Sequence, residues 1–377
     1  MSYYCALCAI SLLVLSAFPA SAQVRVAHCR SGVNTMRISM LDVGQGDAIL
    51  IQCPGGKTQT LIDAGTSSKN YPKGPELFAD ALKSRMGEDR EIEYAVNTHP
   101  HVDHLYGFLR LLEEMKKQER DTAPSADDAA LTSASEPAIS IRTFIESGVD
   151  NPESNYDEKM RRLIRENGLF YFTLTDVRAL NIEICPGTAN LIMQVPSKRK
   201  SVELGCPQNL NDCSITGKLI YRGISFLFLA DVSARWEGLM LKENDSVFSL
   251  RSPVVKIGHH AADSTTAELL GAVKPRAVLF STGHPKHGMT EWYGFPQAAV
   301  INRLQNYFAL HAPAKEPSTV IAACSRAYDS CEWQQETLPP AVWSTAAHGT
   351  IDAYAHENYL CLQSSKFAVE FPISTSK

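Results

Sequence analysis

The feature that most constrains this chain is a group of four metal-binding side chains within six residues, in the run His99-Pro100-His101-Val102-Asp103-His104. The run follows a stretch with strand character, residues 92–97, and a helical pattern begins at Leu105. Side chains alternate along an extended strand, so the first two histidines point to the same side. The last Asp and His then project toward that side from the first helical turn. Because imidazole and carboxylate groups suit zinc, manganese or iron, the sequence predicts a metal site where a strand meets a helix.

A meander of short strands precedes this cluster. Strand-type residues 36–41 lead into Gly44-Gln45-Gly46-Asp47, and two further strand-type stretches follow, the second of which ends at Asp63 and Gly65. A strand rather than a helix follows the first glycines, which excludes a dinucleotide-binding opening. Further strands are predicted at residues 191–195, 218–221, 225–229, 254–257 and 277–281, and helices at 75–85, 105–115, 267–272 and 296–307. Because no linker separates them, residues 23–377 are predicted to form a single α/β domain with two sheets.

Two segments of this domain differ from the rest in composition. Residues 116–137 are rich in Ala, Ser, Asp and Glu, so we expect a mobile insertion there. The charged stretch 113–121 is equally compatible with a solvated helix end. From about residue 312 the chain carries three cysteines and little periodicity, which indicates a Cys-bearing C-terminal extension.

The first 22 residues have the character of a signal peptide. Residues 7–18 are almost wholly apolar, and Ala20-Ser21-Ala22 has the small-x-small form of a cleavage site. A membrane anchor is the alternative, but this apolar stretch is short of the ~20 residues that span a bilayer. We therefore expect export to the periplasm or the extracellular space, with no stable membrane span after cleavage.

The cysteines are consistent with export. Eight of the ten lie beyond the signal segment, and an even number in an exported chain indicates disulfides. Cys206 with Cys213, and Cys324 with Cys331, would each close a short loop. The pairing of the other four stays open: Cys29, Cys53, Cys185 and Cys361.

The metal-binding run resembles that of the metallo-β-lactamase superfamily. More narrowly, five motifs are similar to those of the ComEC-like hydrolase domains of DNA-uptake proteins: Leu41-Asp42-Val43-Gly44-Gln45-Gly46-Asp47-Ala48, Leu61-Ile62-Asp63-Ala64-Gly65, Asn97 to His104, Phe228-Leu229-Ala230-Asp231 and Val255-Lys256-Ile257-Gly258-His259-His260. The resemblance extends over residues 36–304. It implies an αββα sandwich of two mixed β-sheets flanked by helices, with a two-metal site at one edge of the sheets.

The resemblance also assigns roles to individual residues. It implies that His99 and His101 hold one divalent ion, that Asp103, His104 and His259 hold a second, and that Asp231 bridges the two. The ions are expected to be zinc, with manganese as the alternative. Asp103 and Asp231 are the expected catalytic residues, which orient a hydroxide that bridges the metals.

Six more residues are expected to support the site or contact the substrate: Asp63, His260, Asp42, Asp47, Asn211 and Ser214. Asp63 is expected to orient a ligand, whereas Asp42 and Asp47 are either hairpin-turn residues or part of the mouth of the site. Asn211 and Ser214 match an Asn-x-x-Ser element of the family. Two departures stand out, because no third histidine lies between His104 and His259, and Phe295-Pro296 replaces a His-Pro pair. The first metal is therefore expected to bind more weakly, completed by Asp212 or by water.

The predicted function is an exported hydrolase with two metal ions that cleaves phosphodiester bonds in a nucleotide or nucleic acid. The net charge of −5 and the absence of a long basic run disfavour nonspecific binding of nucleic acid by bulk charge. A lactamase, lactonase or thioesterase with the same site is a second enzymatic hypothesis, and its substrate would be a small molecule. A noncatalytic exported binding module is a third.

Overall fold

The structure, a computed structural model of the chain, describes residues 24–26, 28–56, 58–122, 139–242, 246–285, 287–311, 319–325, 331–357, 359–366 and 368–372. The strands are β1 Val24–Val26, β2 Met36–Met40, β3 Ile49–Gln52, β4 Gln59–Ile62, β5 Glu91–Asn97, β6 Ser140–Glu146, β7 Phe170–Thr173, β8 Ala179–Cys185, β9 Ala189–Gln194, β10 Thr216–Tyr221, β11 Ile224–Phe228, β12 Val254–Lys256, β13 Ala277–Phe280, β14 Thr319–Cys324, β15 Trp333–Leu338, β16 Val342–Ser344, β17 Ile351–His356, β18 Tyr359–Gln363 and β19 Ala368–Pro372. The α-helices are α1 Gly74–Met86, α2 Val102–Thr122, α3 Tyr156–Glu166, α4 Leu174–Val177, α5 Lys198–Leu204, α6 Ala234–Lys242, α7 Ala267–Val273, α8 Gly288–Tyr293, α9 Ala298–His311 and α10 Thr345–His348. Short 3-10 turns occur at Asn211–Cys213 and His259–Ala261.

Two large mixed sheets form the centre of the fold. The first has the strand order β1-β19-β18-β17-β2-β3-β4-β5-β6-β7, and the second has the order β16-β13-β12-β11-β10-β9-β8. The predicted meander is present as the antiparallel strands β2, β3 and β4, after which β5, β6 and β7 continue in parallel. In the second sheet, β11, β12, β13 and β16 are parallel.

Apolar side chains divide into three layers around these sheets. Residues such as Ile38, Val96 and Leu219 fill the space between the sheets. Leu61 and Phe108 belong to the layer in which α1, α2 and α3 cover the first sheet. A corresponding layer joins α6, α7 and α9 to the second sheet, so the expected αββα sandwich is confirmed.

The parallel strands are buried on both faces, and for that reason they are apolar at successive positions. In β5, Ala95 packs toward the helices and Val96 toward the opposite sheet. In β12, Val254 and Val255 divide in the same way. This burial on both faces is typical of parallel strands covered by helices.

The described part of the chain after residue 318 contributes strands to both sheets. β16 is the edge strand of the second sheet, and β17 pairs with β2 in the interior of the first, with Ala353 opposite Ile38. β14 and β15 form a small antiparallel pair, and Gln305 on α9 donates a hydrogen bond to the backbone of β15.

Four disulfides join the described segments. The two predicted local pairs, Cys206–Cys213 and Cys324–Cys331, are present. Cys29–Cys361 ties the segment after β1 to β18, and Cys53–Cys185 joins the end of β3 to the end of β8, one strand from each large sheet.

Other expectations concern the segments outside the sheets. Helix α2 continues to Thr122, so the charged stretch 113–121 is helical, and the rest of the expected insertion lies outside the described residues. The expected signal peptide, residues 1–22, also lies outside them. Of the helices that the structure describes, none is both long enough and apolar enough to cross a membrane.

Candidate metal centre

Four strands end at one edge of the sandwich, and the turns that follow them carry the predicted site. β4 and β5, of the first sheet, are followed by Asp63 and by the run that begins at His99. β11 and β12, of the second sheet, are followed by Asp231 and His260. The site is therefore assembled from both sheets.

The centre of the site is a cluster of four side chains, which we call the donor cluster: Asp103, His104, Asp231 and His260. One ligand atom from each lies within 4.8 Å of all the others. Oδ2 of Asp231 is 3.1 Å from Nε2 of His104 and 3.3 Å from Nε2 of His260. Oδ2 of Asp103 is 3.5 Å from the same nitrogen of His260. Asp103 is the most exposed member, with 19% of its side chain accessible.

The two remaining histidines of the run lie beside this cluster. Nε2 of His99 is 3.0 Å from Nδ1 of His101 and 3.9 Å from Oδ2 of Asp231. The ring of His99 thus faces Asp231, and the ring of His101 lies next to that of His99. The ring of His104, a member of the donor cluster, lies 4.1 Å from that of His99, measured between ring centroids.

The Nδ1 atoms of three histidines are held by neighbouring groups, which directs the Nε2 atoms inward. His104 donates to Asp63 at 2.8 Å, and His260 donates to the carbonyl of Ser281 at 2.9 Å. Nδ1 of His99 lies 3.0 Å from the hydroxyl of Thr98, which itself donates to Asp63. Such outer contacts fix the tautomer and the ring orientation of a metal-binding histidine.

Asp63 contacts both His104 and Thr98. It is buried, and besides His104 and the Thr98 hydroxyl it accepts a hydrogen bond from the backbone N–H of Thr98 at 2.8 Å. Burial raises the pKa of Asp63, and the charge of His104 opposes this effect. The carboxylate of Asp63 thus holds the ring of His104 directly and that of His99 through the hydroxyl of Thr98.

The glycines of the Gly44-Gln45-Gly46-Asp47 turn allow it to pack closely against the start of α2. Gly46 has a φ of 139°, and a Cβ on it would lie 2.3 Å from the backbone oxygen of Asp103. The backbone N–H of Asp47 donates to that same oxygen at 3.2 Å. This turn therefore sets the position of Asp103, and only glycine fits there.

The turns that carry the site are conformationally strained. Asp63, Ala230 and His260 all have left-handed backbone conformations, with φ of 56°, 46° and 52°. Such conformations cost about 1 to 3 kcal/mol each for residues other than glycine, and they cluster at functional sites. Nothing in the sequence signals them.

Burial and neighbouring charges lower the pKa values of two site histidines and raise those of two others. Burial lowers the pKa of His99 well below its ordinary value and also lowers that of His101, so both imidazoles are neutral. For His104 and His260 burial has the same sign, but the carboxylates of Asp231 and its neighbours outweigh it and raise both pKa values. Burial likewise opposes ionisation of Asp231, yet these imidazoles hold its pKa well below the usual range.

A buried lysine lies behind the donor cluster. The Lys256 ammonium is ion-paired with Asp47, donates a hydrogen bond to the carbonyl of Ala230 at 2.7 Å and lies 3.7 Å from Oδ1 of Asp231. Burial opposes its charge, but Asp47 and Asp231 raise its pKa. Sequence reasoning assigned this residue no role, although a charged residue within the apolar stretch Val254–Ile257 was a usable signal.

Asp47 and Asp42 thus have different positions. Asp47 is buried and faces Lys256 and the hydroxyl of Ser281, so it lies beneath the site rather than at its mouth. Asp42 accepts a hydrogen bond from the backbone N–H of Gly44, which is the contact of a turn residue.

The roles expected for the paired histidines require a correction, because His260 and not His259 joins the donor cluster. Nδ1 of His259 is hydrogen-bonded to Oδ1 of Asp263 at 2.7 Å, and its Nε2 accepts a hydrogen bond from the Asn211 amide at 3.1 Å. The physical reason is the left-handed turn after β12, which rotates the second histidine inward. Phe295 packs against both rings at the position of the His-Pro motif.

The Asn-x-x-Ser element lies on the His259 side of the site. Asn211 contacts His259 as described, and the hydroxyl of Ser214 is buried without a hydrogen-bond partner among the described residues. Asp212 accepts hydrogen bonds from the backbone and the hydroxyl of Ser233 and from Asn209, so its carboxylate is already engaged.

The donor set fits a divalent metal ion. Nε2 of His260 is buried, faces the other donors and has no hydrogen-bond partner among the described residues, a costly arrangement unless another group satisfies it. Two imidazoles and two carboxylates are the mixture that binds zinc or manganese.

Comparisons with known proteins agree with this geometry. Residues 41–119 match the family model of the metallo-beta-lactamase superfamily. ComE operon protein 3 of Bacillus subtilis (strain 168) is 23% identical over 283 residues, which cover 72% of this chain and 30% of that protein. The chain thus spans less than a third of the length of this relative.

Among solved structures, the metallo-beta-lactamase fold protein YhfI from Bacillus subtilis has a TM-score of 0.40 and 10% identity, covering 74% of this chain and 94% of that one. The long form RNase Z from yeast has a TM-score of 0.36 and 12% identity, covering 67% and 38%. The family match and the relative confirm the resemblance that the motifs indicated. With the donor cluster, they are consistent with the class that the sequence predicts, a metal-dependent hydrolase of the metallo-β-lactamase fold.

Proposed function

We propose that the chain is an exported hydrolase that cleaves phosphodiester bonds in a nucleotide or nucleic acid. The donor cluster carries this proposal, because it gathers carboxylates and imidazoles at the edge of the sandwich, with Nε2 of His260 buried and without a hydrogen-bond partner among the described residues. The similarity to ComE operon protein 3 over 283 residues supports a phosphodiester substrate, together with the Gly-Gln-Gly-Asp turn, which resembles that of ComEC-like domains.

Metal ions bound here would supply a Lewis acid and lower the pKa of a water molecule at the site. The chain's own residues would position the reacting groups. Asp231 is directed at the centre of the cluster by His104 and His260. Asp103 is partly exposed and ionised, since the neighbouring imidazoles lower its pKa despite burial, so its Oδ2 can accept a proton at the open side of the site.

We propose two divalent ions, zinc or manganese, with unequal affinities. The four residues of the donor cluster provide a complete ligand set for one. His99 and His101 would hold the other with a share of Asp231, but Asp212 is committed to Ser233 and Asn209. Water would complete the second site, so we expect it to bind less tightly.

Export is the third part of the proposal. It is supported by the apolar segment at residues 7–18 and by four disulfides, two of which link residues more than 100 positions apart. Disulfides of this kind persist in oxidising compartments. Mass spectrometry of the mature protein tests it, with cleavage after Ala22 as the expected result and an intact N-terminus as the contrary one.

The activity is tested with the purified mature protein on bis-p-nitrophenyl phosphate, single-stranded DNA and a chromogenic β-lactam, with and without chelator. Chelator-sensitive turnover of the first two substrates is expected, together with two metal equivalents by elemental analysis. Asp103→Asn is expected to lose turnover, whereas Asp80→Asn, a change of an exposed aspartate on α1, is the matched control. Turnover of the β-lactam alone would favour the lactamase hypothesis, and binding without turnover the noncatalytic one.

A further inference from the structure

The two oxygens of the Asp231 carboxylate face different partners. Oδ2 faces the imidazoles of His104 and His260, at 3.1 Å and 3.3 Å, whereas Oδ1 is 3.7 Å from the ammonium of Lys256. Lys256 therefore lies on the side of Asp231 that is turned away from the donor cluster. Among the described residues, Oδ1 has no hydrogen-bond donor, so this ammonium is its charged neighbour.

The position of Lys256 is fixed by contacts on the far side of Asp231. Its ammonium is bonded to the carbonyl of Ala230, the residue that precedes Asp231, and is paired with Asp47. Asp47 is in turn held by the hydroxyl of Ser281. The Lys256 side chain is 0% exposed, so no rearrangement of solvent can replace these partners.

A lysine at this place is unfavourable for the stability of the core alone. Its neighbours on β12, Val254 and Val255, are buried and apolar. Replacing a buried ion pair by well-packed apolar residues is often neutral or stabilising, so the pair of Lys256 and Asp47 needs another explanation than stability. Its contact with a ligand of the donor cluster suggests one.

We propose that Lys256 is a positioning residue for metal binding, which attracts Oδ1 of Asp231 and thereby keeps Oδ2 directed at the donor cluster. Asp47 holds the ammonium in place and balances its charge. Without Lys256, the carboxylate of Asp231 is held on its Oδ2 side only, by His104 and His260, so it rotates more readily about its χ2 bond and the ligand set becomes less rigid. The inference rests on the metal site of the proposed function, but on no particular substrate.

The test is the affinity for Zn²⁺ alone, measured by competition with a chromophoric chelator in the mature protein freed of metal. The variant is Asp47→Asn/Lys256→Met, which removes one positive and one negative charge and so leaves the net charge of the site unchanged. We expect Zn²⁺ to bind at least tenfold more weakly, because the loss of partners that orient metal ligands typically costs 10 to 100-fold in affinity. A change of less than tenfold in a folded variant overturns the proposal.

Two further variants keep the result interpretable. Lys218→Met removes another buried lysine, on β10, whose ammonium is bonded to the carbonyls of Ser249 and Arg251, and this variant is expected to bind Zn²⁺ within threefold of the wild type. Should the first variant fail to fold by circular dichroism, Asp47→Asn/Lys256→Leu carries the same expectation. Absence of Zn²⁺ binding by the wild type would instead refute the proposed function itself, so the two failures are distinguishable.

Discussion

Oδ2 of Asp63 lies 2.8 Å from Nδ1 of His104, and this contact determines which nitrogen of the imidazole faces Asp231. Asp63→Asn keeps the shape of the side chain but removes the negative charge. Because the amide can present its nitrogen to the ring, we expect Zn²⁺ affinity to fall by about 10 to 100-fold with little loss of folded protein. Calorimetric titration measures it, and an unchanged affinity would assign Asp63 to the fold alone.

His260 and His259 provide a direct comparison within the paired-histidine motif. His260→Ala removes a member of the donor cluster, so we expect loss of one tightly bound metal ion and at least a thousandfold loss of phosphodiester turnover. His259→Ala removes contacts to Asp263, Asn211 and Phe295, none of which belongs to the donor cluster, and we expect less than a tenfold loss. Elemental analysis and turnover of bis-p-nitrophenyl phosphate distinguish them, and the reverse order would restore the ligand assignment made from the sequence.

Gly46 lets the turn before β3 approach the start of α2. Gly46→Ala would place a methyl group 2.3 Å from the backbone oxygen of Asp103, in addition to a φ of 139°. We expect the free energy of unfolding in urea to fall by about 2 to 4 kcal/mol, with a parallel loss of metal affinity. Gly238→Ala, on α6 with open space around its Cβ, is the control and is expected to raise stability by about 0.5 to 1 kcal/mol.

The disulfides differ in the length of the loop that each closes. Cys53 and Cys185 are separated by 132 residues, and Cys206 and Cys213 by 7. Loop entropy therefore predicts that replacing the first pair by alanine lowers the free energy of unfolding by about 5 kcal/mol, and replacing the second by about 2 to 3 kcal/mol. Urea denaturation of the two double variants checks the order, and equal losses would contradict the entropic account.

His348 is a buried histidine outside the site that should make stability depend on pH. Burial lowers its pKa to about 4, so between pH 6.5 and 4 the unfolded chain binds a proton that the folded chain does not. Its contribution to the free energy of unfolding is therefore constant above that window and falls as the pH drops through it, by up to about 3 kcal/mol. His348→Asn should reduce the difference in stability between pH 7 and pH 4 by that amount, and an identical pH profile would argue against it.

The sequence was most informative where neighbouring residues decide the structure. The meander, the strand before His99 and the strand ends at Asp63 and Asp231 all follow from local composition and turn residues, and the structure places them as expected. The two short disulfide loops are equally local. In each case the residues that determine the feature are close together in the sequence.

The remaining features depend on long-range packing. Pairing of β17 with β2 joins residues more than 300 positions apart, and no local pattern encodes the partner. His260 rather than His259 joins the donor cluster because the backbone takes a left-handed turn there. Residues other than glycine rarely adopt this conformation, so backbone propensity does not predict the turn. The apolar residues around Lys256 identify it as part of a strand, but its proximity to Asp231 arises from the tertiary fold.

The assembly of the donor cluster from two sheets has a consequence for residues far from it. Asp103 and His104 move with the first sheet, and Asp231 and His260 with the second, so the spacing between the sheets enters every distance across the cluster. Side chains in the layer between the sheets, such as Leu219 and Met193, set that spacing. A change of volume in this apolar layer is therefore expected to alter metal affinity while leaving every ligand in place.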